Sequence, residues 1–134
     1  MTQEQDGSAE PVQVLVADDD PNICDLISFK LSQSGYAVRT CGDGVAALRE
    51  AREHRPQLIV LDVGMPGMSG LDVCRALRAD PETAKIPIIM LTAFAHEHDV
   101  EAGFAAGADD YVQKPFSPRE LASRVEAVLS RSRS

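Results

Sequence analysis

Apolar and polar positions along the chain alternate five times between a short apolar run and a longer segment of helical spacing. Residues 12–17 (VQVLVA) predict a buried strand running into Asp18-Asp19-Asp20-Pro21. Ile23, Leu26, Ile27, Lys30 and Leu31 then recur with a helical period. Asp20 suits the N-cap, Pro21 the first helical position and Gly35 the left-handed stop. Residues 36–40 alternate as a second strand. Asp43 can cap a helix carrying Val45, Leu48 and Ala51, which Arg55-Pro56 closes. Residues 58–61 (LIVL) are apolar without alternation, as in a central strand covered on both faces, and end at Asp62. A turn-rich loop, 64–68, precedes a capping-box start at Ser69 and Asp72, and Leu71, Cys74 and Leu77 are expected to face inward. Residues 86–91 predict strand four, ending at Thr92. An Ala-rich helix is expected over about 96–106 with Gly107 as its stop, and residues 110–113 predict strand five, closed by Lys114-Pro115. Ser117-Pro-Arg-Glu120 opens a last helix with Leu121, Val125, Val128 and Leu129 on one stripe.

Strict alternation of strand and helix implies right-handed crossovers and a parallel sheet with helices on both faces. The 134 residues suit one domain with one core, and 44% apolar residues suffice to fill it. Residues 11–130 are expected to form that domain, with a flexible tail at 1–10 and a tail or linker stub at 131–134. Residues 1–10 are polar and acidic, unlike a signal peptide. No apolar run approaches membrane-span length. The net charge of −8 disfavours direct contact with nucleic acid. Cys24, Cys41 and Cys74, odd in number and widely spaced, predict small apolar fillers rather than disulfides or a zinc site. His54, His96 and His98 read as surface residues, and the run 102–108 reads as packing.

Candidate chemistry lies at the strand ends: Asp18 and Asp19 after strand one, Asp62 after strand three, Thr92 after strand four and Lys114 after strand five. In an open parallel sheet, sites form at the carboxyl ends of strands near the reversal of strand order. Three carboxylates gathered there repel one another, and a single lysine offsets too little. Oxygen donors without nitrogen or sulfur select a hard divalent ion, most naturally Mg²⁺. With Lys114 and the Thr92 hydroxyl, such a site can neutralise a phosphoryl group moving onto Asp62. Asp20, followed by proline, reads as a cap.

The chain resembles the response-regulator receiver family. The resemblance is carried by Val16-Ala-Asp-Asp-Asp-Pro21, by Leu61-Asp-Val-Gly-Met-Pro-Gly-Met-Ser-Gly70, by Met90-Leu-Thr-Ala93 and by Gly107-Ala-Asp-Asp-Tyr-Val-Gln-Lys-Pro-Phe116. It implies a flavodoxin-like (βα)5 three-layer sandwich with a five-stranded sheet in order 2-1-3-4-5. It implies Asp62 as phosphoacceptor, and Asp18, Asp19, Asp62 and the Gly64 carbonyl as ligands of Mg²⁺, for which Mn²⁺ can substitute. Thr92 and Lys114 would bind phosphoryl oxygens, and Tyr111 would be an aromatic switch moving inward as Thr92 shifts. Gly64, Ala93 and Phe94 would tune phosphoryl access, and the Lys114-Pro115 bond would be cis. The implied protein is a bacterial, cytoplasmic signalling switch, not an enzyme beyond its own phosphorylation and dephosphorylation. Its implied partners are a sensor histidine kinase or phosphotransfer protein, and an output domain or effector met by helix four, strand five and helix five.

A weak or phosphorylation-dependent homodimer is a further implication. Asp109, Asp110, Arg124 and Arg131 resemble part of the charged set with which receivers joined to winged-helix domains dimerise. Val100, Ala105, Ala106 and Glu126 depart from it. Two rival readings are an Asp-nucleophile phosphohydrolase of haloacid-dehalogenase type and a degenerate receiver that only binds partners. The first wants a second Asp at the position of Gly64, and the second wants one of the five site side chains missing.

Overall fold

The computed structural model describes residues 10–93 and 97–132, with side chains from 101 onward in the second stretch. Strands β1 (Gln13–Ala17), β2 (Ala37–Cys41), β3 (Leu58–Asp62), β4 (Ile88–Thr92) and β5 (Asp110–Gln113) alternate with helices. These are α1 (Pro21–Gln33), α2 (Gly44–His54), α3 (Gly70–Ala79), α4 (Glu97–Ala106) and α5 (Pro118–Ser132). All strand pairs are parallel, in order β2-β1-β3-β4-β5. Strand order thus reverses between β1 and β3, where a crevice opens at the carboxyl ends.

The pleat sorts the sheet's side chains into two cores. Val14, Val16, Leu58, Val60, Ile89 and Leu91 pack with α1 and α5. Leu15, Ala17, Ile59, Leu61, Ile88 and Met90 pack with α2, α3 and the end of α4. Strands β3 and β4 are buried along their whole length, as their unbroken apolar runs require.

The expected caps form. Asp20 accepts from Asn22 N at the start of α1, and Asp43 accepts from Ala46 N at the start of α2. Ser69 and Asp72 make a reciprocal capping box, and Ser117 Oγ accepts from Glu120 N. Gly35 and Gly107 adopt the positive φ foreseen for helix stops. Arg55 also ends α2 in the left-handed region, a role given in the sequence to Arg55-Pro56 jointly.

Four expectations change. Strand four starts at Ile88 rather than residue 86, because Ile86 N turns back to Thr83 O and ladder pairing begins only at the Pro87 carbonyl. In α2 the buried stripe runs through Ala47 and Ala51, leaving Val45 60% exposed. In α3, Val73 is buried while Leu71 is half-buried. Helix α5 continues through Arg131 and Ser132, two residues into the segment expected as a tail, with Ser132 Oγ bonded to Leu129 O. No helix among the described residues is long and apolar enough to cross a membrane.

Candidate functional site

Sheet register decides which strand ends meet. Ala17 lies opposite Leu61, Asp62 opposite Leu91, and Thr92 opposite Gln113. Asp18 therefore emerges beside Asp62, with Thr92 and then Lys114 on successive strands beyond. Three backbone bonds extend the ladders past their last pairs: Asp18 N donates to Cys41 O at 3.1 Å, Val63 N to Leu91 O at 2.9 Å, and Lys114 N to Thr92 O at 2.7 Å. The Lys114-Pro115 peptide is cis.

These residues are sunk into the crevice floor. Asp18 is 1% exposed, Asp62 5% and Thr92 4%, while Asp19 stands open to water. The donor oxygens of Asp18, Asp19 and Asp62 all lie within 4.8 Å of one another. Lys114 Nζ bridges two of them, 2.9 Å from Asp18 Oδ2 and 3.3 Å from Asp62 Oδ1. Asp20 N donates to Asp18 Oδ1 at 2.9 Å, so the residue that caps α1 also orients the buried acid. The Cys24 thiol donates to the Asp18 carbonyl at 3.3 Å from behind.

The electrostatics are unbalanced. Burial and the neighbouring Asp18 charge raise the pKa of Asp62, while Lys114 and the Gly64 N–H pull it back down. Burial lowers the pKa of Lys114, but contact with Asp18 and the charges of Asp62 and Asp18 outweigh it and leave the ammonium above the ordinary lysine value. Among the described residues, Asp18 Oδ2 is buried without an aligned hydrogen bond and lies 2.9 Å from the Lys114 ammonium. A buried, under-satisfied carboxylate oxygen beside two more acids fits a hard divalent cation held by oxygen.

Gly70 and Gly64 frame the end of β3 differently. A Cβ at Gly70 would press on the Asp62 carbonyl, whereas a Cβ at Gly64 meets open space. Tyr111 is half-buried, 6.0 Å centroid to centroid from Phe104, with its ring over the bare face of Gly103. Ala93 is exposed just beyond Thr92, and Phe94 lies outside the described residues.

Other expectations land elsewhere. Asp109 and Asp110 are engaged within the chain: Asp109 pairs with Arg78 at 2.9 Å and Asp110 with Arg124 at 2.9 Å. Arg131 is exposed on α5, as is Glu126, and the side chain of Val100 lies outside the described set. In the Ala-rich run, Ala106 and Ala108 are buried but Ala105 is exposed. His54 is a surface residue as expected, 3.9 Å from Glu50. With Glu53 they form a second trio of donors within 4.8 Å, which is open to water and shares Glu50 with Arg39. His96 lies outside the described residues, as does the side chain of His98. All three cysteines are free, with Cys24 and Cys74 buried and Cys41 half-buried. Burial pushes the Cys41 thiol up to about 11, so it is unreactive as a thiolate. The residue not foreseen is Arg78. Its partners lie up to 31 positions away, and its only local sign is a basic charge in the last turn of α3.

The family model for the response regulator receiver domain matches residues 14–126. The DNA-binding response regulator MtrA of Mycolicibacterium smegmatis is 48% identical over 120 residues, covering 90% of this chain and 51% of that protein. The alkaline phosphatase synthesis transcriptional regulatory protein PhoP of Bacillus subtilis is also 48% identical over 120 residues, 90% of this chain and 49% of its own length. The chain thus spans about half the length of these curated relatives. Among solved structures, the chemotaxis response regulator CheY4 of Vibrio cholerae superposes with a TM-score of 0.84 at 35% identity, covering 88% of this chain and 98% of its own. A BeF3-activated DrrB receiver domain superposes at 0.78 with 39% identity, covering 90% and 98%.

Proposed function

The chain belongs to the response regulator receiver domain family, and from that membership we propose that it is a switch set by phosphorylation of Asp62. The observation that carries the reading is the Lys114 ammonium held between Asp18 and Asp62 in a buried, carboxylate-rich crevice.

An Asp62 carboxylate oxygen attacks the phosphorus of a phosphohistidine on a sensor histidine kinase or phosphotransfer protein. The P–N bond breaks, and the imidazole nitrogen leaves with the electron pair. Hydrolysis of the acyl phosphate later restores the carboxylate and releases inorganic phosphate. Asp18, Asp19, Asp62 and the Gly64 carbonyl would hold Mg²⁺, or Mn²⁺ in its place, which would supply positive charge against the transferring group. Lys114 exchanges its carboxylate contacts for a phosphoryl oxygen, and the Thr92 hydroxyl donates to another. As Thr92 is drawn in, the Tyr111 ring turns inward, and the surface of α4, β5 and α5 changes for an output domain or effector. The setting is the bacterial cytoplasm.

The donor protein has a seat beside the crevice. A cavity of about 500 Å³ lined by Ile23, Leu26, Ala93, Pro115 and Phe116 also includes Lys114, so an apolar surface docked there reaches the phosphoacceptor. The phosphohydrolase alternative finds no second acid, because Gly64 occupies its place. The test is intact mass after incubation with Mg²⁺ and acetyl phosphate. One phosphoryl adduct is expected, lost on chelation and absent in Asp62→Asn. An adduct that persists in Asp62→Asn overturns the assignment.

A further inference from the structure

Helix α4 is fastened at one end by a residue outside the phosphorylation chemistry. Arg78, in the last turn of α3, donates from Nε to Gly107 O at 3.0 Å and from Nη1 to Ala84 O and Ile86 O at 3.0 and 2.7 Å. Its Nη2 donates to Asp109 Oδ2 at 2.9 Å. That carboxylate oxygen also accepts from Ile88 N at 2.8 Å, and Asp109 N donates to Ile88 O at 2.8 Å. One turn earlier on α3, the Cys74 thiol donates to Ala106 O at 3.3 Å.

Carbonyls at the C-terminal end of a helix lack partners within the helix. Here α3 supplies them, through Arg78 at Gly107 and Cys74 at Ala106, and the guanidinium places positive charge where the helix dipole favours it. Gly107, at φ +111°, lets the aliphatic stem of Arg78 lie across the turn, where a Cβ would meet Arg78 Cγ at 2.7 Å. The same guanidinium grips the segment leading into β4. The C-terminal end of α4 is therefore tied to α3 and to the start of β4 by one planar group.

We infer that Arg78 is a positioning residue for the output face: it pins α4 at Gly107, so that phosphorylation swings the helix about that end rather than sliding it. The pin also engages Asp109 Oδ2, which accepts from both Arg78 Nη2 and Ile88 N, while the Asp109 side chain stays 44% exposed. The swing rests on the switching proposed above, whereas the pin does not.

Amide hydrogen exchange on the full chain separates the two. Gly107, Ala108 and Asp109 report directly, because their N–H groups bond to Phe104 O, Gly103 O and Ile88 O. Without ligand, Arg78→Met keeps the apolar stem, drops the guanidinium, and is expected to speed exchange at these amides about tenfold. On adding Mg²⁺ and beryllofluoride, wild-type exchange is expected to change at 97–102 and stay within about twofold at 107–109. In Arg78→Met the change should spread across both stretches. Equal wild-type changes at both ends, or exchange at 107–109 unaffected by Arg78→Met, would overturn the inference. If beryllofluoride leaves the amides around Asp62 unshifted, the switch reading fails, while the ligand-free comparison still decides the pin. Should Arg78→Met not fold, Asp109→Asn is expected to speed exchange at 107–109 about threefold, and wild-type rates there would overturn the pin.

Discussion

Two clusters of charge in this molecule use similar groups to opposite effect. At the crevice, three carboxylates crowd one ammonium, and an oxygen of the most buried acid has no aligned hydrogen bond. At the far end of β4, one guanidinium meets three carbonyls and one carboxylate, and that carboxylate is bonded a second time by a backbone N–H. The first arrangement is short of positive charge and gains by taking up a cation or by losing a proton's worth of negative charge. The second meets its guanidinium donors with acceptors from the chain itself. Unbalanced polar burial is what a responsive site needs, and balanced polar burial is what a fixed point needs.

The comparison is broken most severely by emptying the Arg78 cluster. Arg78→Ala leaves the carbonyls of Ala84, Ile86 and Gly107 without their side-chain donor and Asp109 Oδ2 with Ile88 N alone, and is expected to lower the unfolding free energy by about 1–3 kcal/mol. Urea denaturation would show it as a lower midpoint. Filling the unbalanced cluster should work in the other direction. Mg²⁺ at roughly ten times its dissociation constant is expected to add about 1.4 kcal/mol by mass action, read as a rise in Tm that Asp19→Asn diminishes.

A smaller effect is expected from Asp62→Asn without metal, because burial and Asp18 push its pKa up while Lys114 and the Gly64 N–H push it down. The folded value lies above the unfolded one, so the folded state binds the proton more readily. Its ionisation therefore lowers stability as pH rises from the unfolded carboxylate value through the raised one, and the penalty is full above that. Asp62→Asn should accordingly raise Tm at neutral pH, with the gain fading in acid. A gain that grows in acid would contradict the sign. The smallest effect belongs to Arg124→Ala, which removes a partly exposed pair with Asp110. A loss of about 0.5 kcal/mol is expected, shrinking in salt.

Most of this architecture could be read from the chain because its signals are local. Asp20-Pro21, Asp43, Ser69 with Asp72, and Gly107 announce helix ends through their own backbone chemistry. The unbroken runs of β3 and β4 announce burial on both faces. The crevice was legible because parallel strands bring their ends together once the sheet order is known, so Asp18, Asp62, Thr92 and Lys114 needed no long-range information beyond topology. What could not be read depends on helix rotation and distant partners. Leu26 and Val45 fit a helical period yet turn outward, because period alone does not say how wide the buried stripe is. Asp109 also has an intrachain partner, an arginine on α3 31 positions earlier, which no local pattern announces.

The open space around Gly64 contrasts with the tight fit at Gly70. A Cβ at 64 would displace no atom of the scaffold, because none lies within 4 Å of it. If Asp62 takes the phosphoryl group as proposed above, a substitution at 64 is expected to change the decay rate of the adduct while leaving the scaffold that forms it in place.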